Sequence, residues 1–134
     1  MSEIRFSSVL IVGTGLIGSS IARAIKENNI SRNIFGIDTN VVNLNKCLDL
    51  KILNDISINF EDFSQQFDLI IIASPLSTYK KIFEKINILV NKKTLLIDVG
   101  STKMSTIKDF KETVYNKNIN LWNLDYGQYR HLSK

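Results

Sequence analysis

Three glycines near the amino terminus have the spacing that a phosphate-binding turn requires. Gly13, Gly15 and Gly18 follow the short apolar run Val9–Val12 and precede a segment rich in isoleucine and alanine. The apolar run predicts a buried strand. In a strand–turn–helix unit of this kind, the first glycine permits the turn, the second lets backbone approach a pyrophosphate, and the third lets helix and strand pack closely. The pattern therefore predicts a dinucleotide site, with a glycine-rich turn that serves only chain geometry as the alternative.

A helix is predicted directly after this turn. Ile17, Ile21 and Ile25 recur every four residues, with Ala22 and Ala24 beside them, which is the apolar stripe of a helix packed on a sheet. The first turn of such a helix supplies unpaired N–H groups and a partial positive charge, both of which suit phosphates.

Asp38 stands where a dinucleotide site needs an acid. It follows Asn33–Ile37, which predicts a second strand, and it comes 20 residues after Gly18. A carboxylate there accepts hydrogen bonds from ribose hydroxyls and repels a 2′-phosphate, and the next residues, Thr39 and Asn40, carry no positive charge. The sequence thus favours NAD over NADP. Asp38 could also be the N-cap of the following helix, a role compatible with ribose binding.

A second candidate contact segment follows the strongest later strand. The run Asp68–Ala73 predicts a strand at the centre of the sheet, and Pro75 forces Ser74 out of helical geometry, so the strand ends in a defined turn. Ligands of open parallel sheets lie along that edge, although these residues could merely turn the chain. The expected dinucleotide contacts are Gly13, Thr14, Gly15, Leu16, Ile17, Gly18, Asp38, Ser74, Pro75 and Leu76.

The remaining segments alternate between helix and strand. Val41, Leu44 and Leu48 predict a helix over residues 39–50, and Phe60, Phe63 and Phe67 predict a helical turn whose aromatic rings belong to the core. We also expect a strand within residues 52–60, a helix over 79–90, a strand over 94–99, a helix bearing Met104, Ile107, Phe110 and Val114, and a strand over 119–125. Residues 126–134 show no pattern. The alternation predicts an α/β fold, a doubly wound parallel sheet of the Rossmann type, as a single domain over residues 1–134.

The composition argues against several other classes of protein. The net charge is +4, but the basic residues are spread out in runs no longer than a pair, which disfavours nucleic-acid binding. No apolar run is long enough for a membrane span, and the amino terminus lacks a secretion signal, so we expect a cytoplasmic protein. Cys47 is the only cysteine and His131 the only histidine, so no metal site is predicted; Cys47 fits a structural role better than a reactive one.

Three segments together indicate a family. Val12–Ser20, Ile72–Pro75 and above all Ile97–Lys103, with its Asp-Val-Gly-Ser-Thr-Lys turn, resemble the N-terminal NAD-binding domain of the prephenate dehydrogenase family, which includes arogenate and cyclohexadienyl dehydrogenases of tyrosine biosynthesis. The resemblance covers about residues 7–120. It implies oxidative decarboxylation of an anionic cyclohexadienol, prephenate or arogenate, with NAD as hydride acceptor. It also implies that Ser101 bonds the substrate hydroxyl; a cap of the next helix is the alternative role for Ser101.

The sequence departs from the family pattern after this turn. The family places its general base in a histidine-proline motif after the next strand, whereas here Leu121–Leu124 occupies that region and His131 is followed by leucine. A histidine in a solvated tail is the simpler interpretation of His131. The family's mostly helical dimerisation domain is not visible in the 134 residues, and the oligomeric state stays open.

Two hypotheses therefore remain. The chain is a dehydrogenase or its cofactor-binding part, or it is a stand-alone nucleotide-binding module, a truncated remnant without dehydrogenase activity.

Overall fold

The computed structural model describes residues 6–99 in full and the backbone of residues 119–123 and 128–132. Strands and helices alternate through the first part of the chain, as the sequence predicts. The strands are β1 (Val9–Val12), β2 (Ile34–Ile37), β3 (Asp55–Ser57), β4 (Leu69–Ile72), β5 (Leu95–Asp98), β6 (Ile119–Asn123) and β7 (Gln128–Leu132), and the helices are α1 (Leu16–Glu27), α2 (Val41–Asp49) and α3 (Tyr79–Ile86). Short 3₁₀ turns occupy Phe60–Asp62, Leu76–Thr78 and Asn87–Leu89. The predicted helix that bears Met104 lies outside the described residues.

The strands form one sheet in the order β3-β2-β1-β4-β5-β6-β7. The six strands from β3 to β6 in this order run parallel, which confirms the doubly wound α/β fold. The chain first builds outward from β1 on one side and then returns to add β4 on the other. The point between β1 and β4 is therefore the topological switch point, where open sheets of this kind leave a crevice for ligands.

Strand β7 is a correction to the sequence analysis, which found no pattern in residues 126–134. It pairs antiparallel with β6 at the edge of the sheet, with His131 opposite Asn120. An edge strand joined to its neighbour by a short connection needs no crossover helix, so the helix–strand alternation used for the other elements does not predict it.

The core has two halves, one on each face of the sheet. Alternate residues of a strand point to opposite faces, so Leu10 and Val12 pack toward α3, while Val9 and Ile11 pack toward α1 and α2. Complete burial of one such side chain contributes about 1.5–3 kcal/mol. The covered faces on both sides explain why the central strands read as continuous apolar runs.

The three predicted core aromatics, Phe60, Phe63 and Phe67, all contact the core, but they are buried to different degrees. Phe63 and Phe67 are buried and stack edge to face on each other and on Phe35, with ring centroids 5.4–5.9 Å apart. Phe60 packs only partly against this cluster and also lines the pocket described below. All three rings therefore pack in or against the core, as expected, and Phe60 faces the pocket as well.

The packed faces of α1 and α2 differ from the predicted stripes by one position. In α1 the buried residues are Gly18, Ala22 and Ile25, whereas Ile17 is 57% exposed. In α2 Leu44 and Cys47 are buried, while Val41 is 49% exposed. Cys47 is a small core residue, as expected, because only 3% of it is exposed. This burial also raises the pKa of its thiol.

Within the described part of the chain, no helix has the length and apolar character needed to cross a lipid bilayer. The same residues contain no group of three or more His, Cys, Asp or Glu side chains placed to hold a metal ion.

Candidate functional site

The glycine-rich turn between β1 and α1 is held tightly against its surroundings at two of its three glycines. Gly13 has φ +98°, and a Cβ there would lie 2.8 Å from the backbone of Ala73 and Ser74 at the end of β4. At Gly18 a Cβ would lie 1.8 Å from the carbonyl oxygen of Gly13. These two glycines are required by the fold itself, as the sequence predicts for the turn and for helix packing.

Gly15 is different, because no contact with residues 6–99 requires glycine there. Its φ of −70° and ψ of −157° are extended backbone, and a Cβ at this position would meet no atom of these residues within 4 Å. The space over the Gly15 backbone is therefore open. This is the position where the sequence predicts that the pyrophosphate approaches.

Gly15 is also the N-cap of α1. It provides no side-chain cap, and the first turn of the helix carries no acidic residue. The N–H groups of Leu16, Ile17 and Gly18 consequently have no partner within the helix, and they carry the positive end of the helix dipole. This start of α1 fits an anionic group next to Gly15. The side chains of Leu16 and Ile17 are exposed, so any contact of the turn with phosphates is through backbone.

Asp38 directly follows β2, and Thr14 holds its carboxylate beside the turn. Oδ2 accepts hydrogen bonds from the Thr14 backbone N–H at 2.7 Å and from the Thr14 hydroxyl at 2.9 Å, while Oδ1 accepts from the Asn40 N–H at 3.0 Å. Thr14 itself is buried. Its side chain therefore positions Asp38, a role that the sequence analysis did not assign to it.

The carboxylate of Asp38 is stabilised in its charged form. Partial burial is the largest single influence and raises its pKa, but the hydrogen bonds from Asn40, Thr14 and Thr39 together outweigh it. The pKa of Asp38 is therefore below its usual value, and the group is an anion with remaining lone pairs for donors such as ribose hydroxyls.

The alternative role of Asp38 as a helix cap is wrong. The N-cap of α2 is Asn40, whose side chain accepts a hydrogen bond from the Asn43 N–H at 3.1 Å. Asp38 lies two residues earlier and binds the turn instead.

A pocket of about 460 Å³ opens at the carboxyl ends of β1, β2 and β4. It brings together four of the predicted contacts, namely Gly13, Asp38, Ser74 and Pro75. The other predicted contacts, Thr14, Gly15, Leu16, Ile17, Gly18 and Leu76, do not line it. Residues that the sequence analysis missed complete its walls, and they are Ile58, Asn59, Phe60, Glu61, Thr78, Lys81, Ile82 and Lys85.

The turn after β4 has a defined structure at the edge of this pocket. The Thr78 hydroxyl lies 2.6 Å from the Pro75 carbonyl oxygen and 3.1 Å from the Ser74 hydroxyl, and the Thr78 N–H also bonds the Pro75 carbonyl. Thr78, Lys81, Ile82 and Lys85 recur at helical spacing, so they share the face of α3 that lines the pocket. That spacing directly after the Ser74-Pro75 turn was the available sequence signal for these residues.

One ion pair crosses the mouth of the pocket. The Lys85 ammonium nitrogen lies 3.0 Å from Glu61 Oε1, and both side chains are about half exposed. The pKa of Glu61 is lowered by a hydrogen bond from its own backbone N–H and then by Lys85.

The predicted substrate-binding residue Ser101 lies outside the described residues. The fully described segment ends at Val99, just before it in the chain. Asp98, at the carboxyl end of β5 opposite Ile72 of β4, is completely buried. His131 lies on β7 opposite Asn120, near the amino end of β6 and so away from the ligand edge of the sheet.

Known proteins with similar sequences indicate one family. The family model "Prephenate dehydrogenase, nucleotide-binding domain" matches residues 21–120. The prephenate dehydrogenase of Bacillus subtilis (strain 168) is 32% identical over 108 residues, which are 80% of this chain and 29% of that protein. The prephenate dehydrogenase of Lactococcus lactis is 35% identical over 101 residues, which are 75% of this chain and 28% of that protein.

A solved structure gives the same result. The prephenate dehydrogenase from A. aeolicus, crystallised in complex with hydroxyphenyl propionate and NAD+, has a TM-score of 0.76 and 26% sequence identity, and the match covers 100% of this chain and 47% of that one. The chain thus spans less than a third of the length of the two bacterial relatives above. The expected family and the expected nucleotide-binding fold are confirmed, and the chain belongs to the prephenate dehydrogenase nucleotide-binding domain family.

Proposed function

We propose that residues 1–134 are a single NAD-binding domain of an enzyme that oxidatively decarboxylates prephenate or arogenate. The observation that carries this proposal is the Asp38 carboxylate, held as an anion by Thr14 at the edge of the pocket at the carboxyl ends of β1, β2 and β4. An acid at this place accepts ribose hydroxyls and disfavours a 2′-phosphate. The family match supports the proposal, and so does the similar A. aeolicus enzyme, which was crystallised in complex with NAD+.

Different residues of this chain bind different parts of NAD. The backbone at Gly15 and the start of α1 accept the pyrophosphate, because the space over Gly15 is open and the N–H groups there have no helical partner. Asp38 binds the adenosine ribose. The apolar parts of the pocket wall, including Ile58, Phe60 and Ile82, suit the flat purine ring.

NAD, when bound, supplies the hydride acceptor for the oxidation. The protein must then hold the substrate next to the nicotinamide and accept the proton of its hydroxyl. Ser101 is the proposed contact for that hydroxyl. An unassisted serine hydroxyl is a poor proton acceptor near neutral pH, so the base is a different group.

A stand-alone nucleotide-binding module without dehydrogenase activity is the second candidate. The observation in its favour is the position of His131, the only histidine in the sequence, because its register with Asn120 places it away from the ligand edge of the sheet. The two candidates agree on NAD binding and differ in whether these residues act as part of a dehydrogenase, which formation of NADH from prephenate or arogenate by this polypeptide would show.

Thermal unfolding with NAD and with NADP tests the shared part of the proposal. A ligand at 100 times its Kd stabilises a protein by about 2.7 kcal/mol, which is roughly 10 °C in Tm for a chain of this length. NAD should give such a shift, and NADP at the same concentration should give a smaller one. The variant Asp38→Asn should narrow the difference, because it removes the charge that repels the 2′-phosphate. Equal shifts with both dinucleotides in the unmodified chain would contradict the role of Asp38.

A further inference from the structure

Four charged side chains line the pocket, and they differ in whether another residue compensates or holds their charge. Lys85 and Glu61 form an ion pair at 3.0 Å, so their charges compensate each other. Asp38 is held by hydrogen bonds from Thr14 and Asn40. Lys81 also lines the pocket, but it has neither a hydrogen bond nor an ion pair with any residue in the range 6–99. Its ammonium group is therefore available to a ligand.

The position of Lys81 in the fold places it across the pocket from Asp38. Asp38 follows β2, whereas Lys81 belongs to α3, which follows β4, and β1 lies between these two strands in the sheet. Gly13, at the end of β1, lines the same pocket between them. A ligand that occupies the pocket therefore lies between a carboxylate on one side and an uncompensated ammonium group on the other.

We propose that Lys81 is a binding residue for the dinucleotide and that its ammonium group attracts the negatively charged ligand from the wall of the pocket that it shares with Asp38. This inference rests on the proposed function. The ligand carries negative charge on its pyrophosphate, and the start of α1 offers only a partial positive charge to it. A lysine ammonium group is a compact positive charge on a flexible stem, so it attracts an anionic ligand without a fixed contact geometry. Lys81 thus adds the full positive charge that the glycine-rich turn lacks.

The adjacent Lys80 provides a matched control. It precedes Lys81 on α3 and is also exposed, but it does not line the pocket. Lys81→Met and Lys80→Met therefore make the same change in charge and side chain on the same helix. Both substitutions are at exposed positions, so both variants should unfold within a few degrees of the unmodified chain.

Isothermal titration with NAD distinguishes the two lysines. An exposed ion pair is worth about 0.2–1 kcal/mol, so Lys81→Met should raise the Kd for NAD by a factor of about 1.4–5, while Lys80→Met should leave it unchanged. Added KCl should reduce the difference between the two variants, because salt screens an exposed charge. Lys81→Arg, which keeps the charge, should bind NAD like the unmodified chain.

Two results would overturn the inference in different ways. If the unmodified chain binds NAD and both methionine variants bind it equally well, Lys81 is not a binding residue, and the proposed function stands. If the unmodified chain does not bind NAD at all, the proposed function fails, and the role of Lys81 fails with it.

Discussion

Gly15 offers the most direct test of where the pyrophosphate lies, because its described surroundings do not require glycine there. The substitution Gly15→Ala places a methyl group where no atom of the described residues lies within 4 Å, on backbone that any residue can adopt. Replacing glycine by alanine under such conditions stabilises a protein by about 0.4–1 kcal/mol, because the unfolded chain has less conformational freedom. For a chain of this length, we expect Tm to rise by roughly 1–4 °C.

The same methyl group should interfere with the dinucleotide. If the pyrophosphate lies against the Gly15 backbone, the new Cβ occupies part of its space, and loss of about 1.4 kcal/mol of binding energy would weaken NAD binding tenfold. The larger Gly15→Val should abolish measurable binding while the chain stays folded. Circular dichroism measures the folding, and calorimetric titration measures the affinity for NAD.

Gly18→Ala is the matched comparison. Its Cβ would lie 1.8 Å from the Gly13 carbonyl oxygen, so the backbone must move. Overpacking of this kind costs about 1–3 kcal/mol or more, which exceeds the gain in helix propensity of about 1 kcal/mol, and Tm should fall. Unchanged NAD affinity in Gly15→Ala would show that the pyrophosphate lies elsewhere. A fall in Tm for Gly15→Ala as large as that for Gly18→Ala would refute the open environment of Gly15.

Four further predictions concern the remaining site residues and the activity. Thr14→Val removes a buried hydroxyl that donates a hydrogen bond to Asp38 at 2.9 Å, so it should lower the free energy of unfolding in urea by about 1–2 kcal/mol. Thr39→Val, at an exposed position, is the control and should lower it far less. His131→Asn should leave NAD affinity unchanged, because the register with Asn120 places His131 away from the ligand edge; a clear loss of affinity would contradict this placement. The 134-residue polypeptide, assayed alone with NAD and excess prephenate or arogenate, should form no NADH at an ordinary enzymatic rate. The reason is that positioned reactants and a positioned base supply most of the rate acceleration. Turnover would refute the second candidate function. The acid limb of stability tests Asp38 as well. The folded-state pKa of Asp38 is lowered, so its contribution to stability is complete above the unfolded-state pKa and is lost as the pH falls through the folded-state pKa. Asp38→Asn should therefore weaken the acid dependence of thermal unfolding between about pH 5 and pH 2.

The sequence by itself determined the local elements and the most specific parts of the site. Continuous apolar runs define β1 and β4 because both faces of a central parallel strand are covered. The spacing of Gly13, Gly15 and Gly18 predicts the turn, in part because two constraints are local: Gly13 has a positive φ, and Gly18 packs on the Gly13 carbonyl, five residues earlier in the chain. Asp38 was predictable for the same reason, since the length of one β-α-β unit fixes its distance from the turn.

Only the tertiary structure decided which faces are packed. The contact of Gly18 with the Gly13 carbonyl rotates the buried face of α1 onto Gly18, Ala22 and Ile25, so Ile17 is exposed although its spacing fits the stripe. Sequence periodicity shows which residues share one face of a helix, but the point of closest approach to the sheet decides which residues lie at the centre of the buried face. The edge strand β7 likewise depends on a partner strand rather than on a pattern of its own.

The tertiary structure also decided the composition of the pocket. Glu61 and Lys81 lie 23 and 43 residues after Asp38 in the chain, and each carries an ordinary solvated charge by sequence alone. They line the same pocket as Asp38 because parallel pairing aligns the carboxyl ends of β1, β2 and β4 at one edge of the sheet. The bond between Thr14 and Asp38 arises in the same way, across two neighbouring strands. Residues that meet through strand register leave no local signature, so this part of the site could be recognised only once the sheet was assembled.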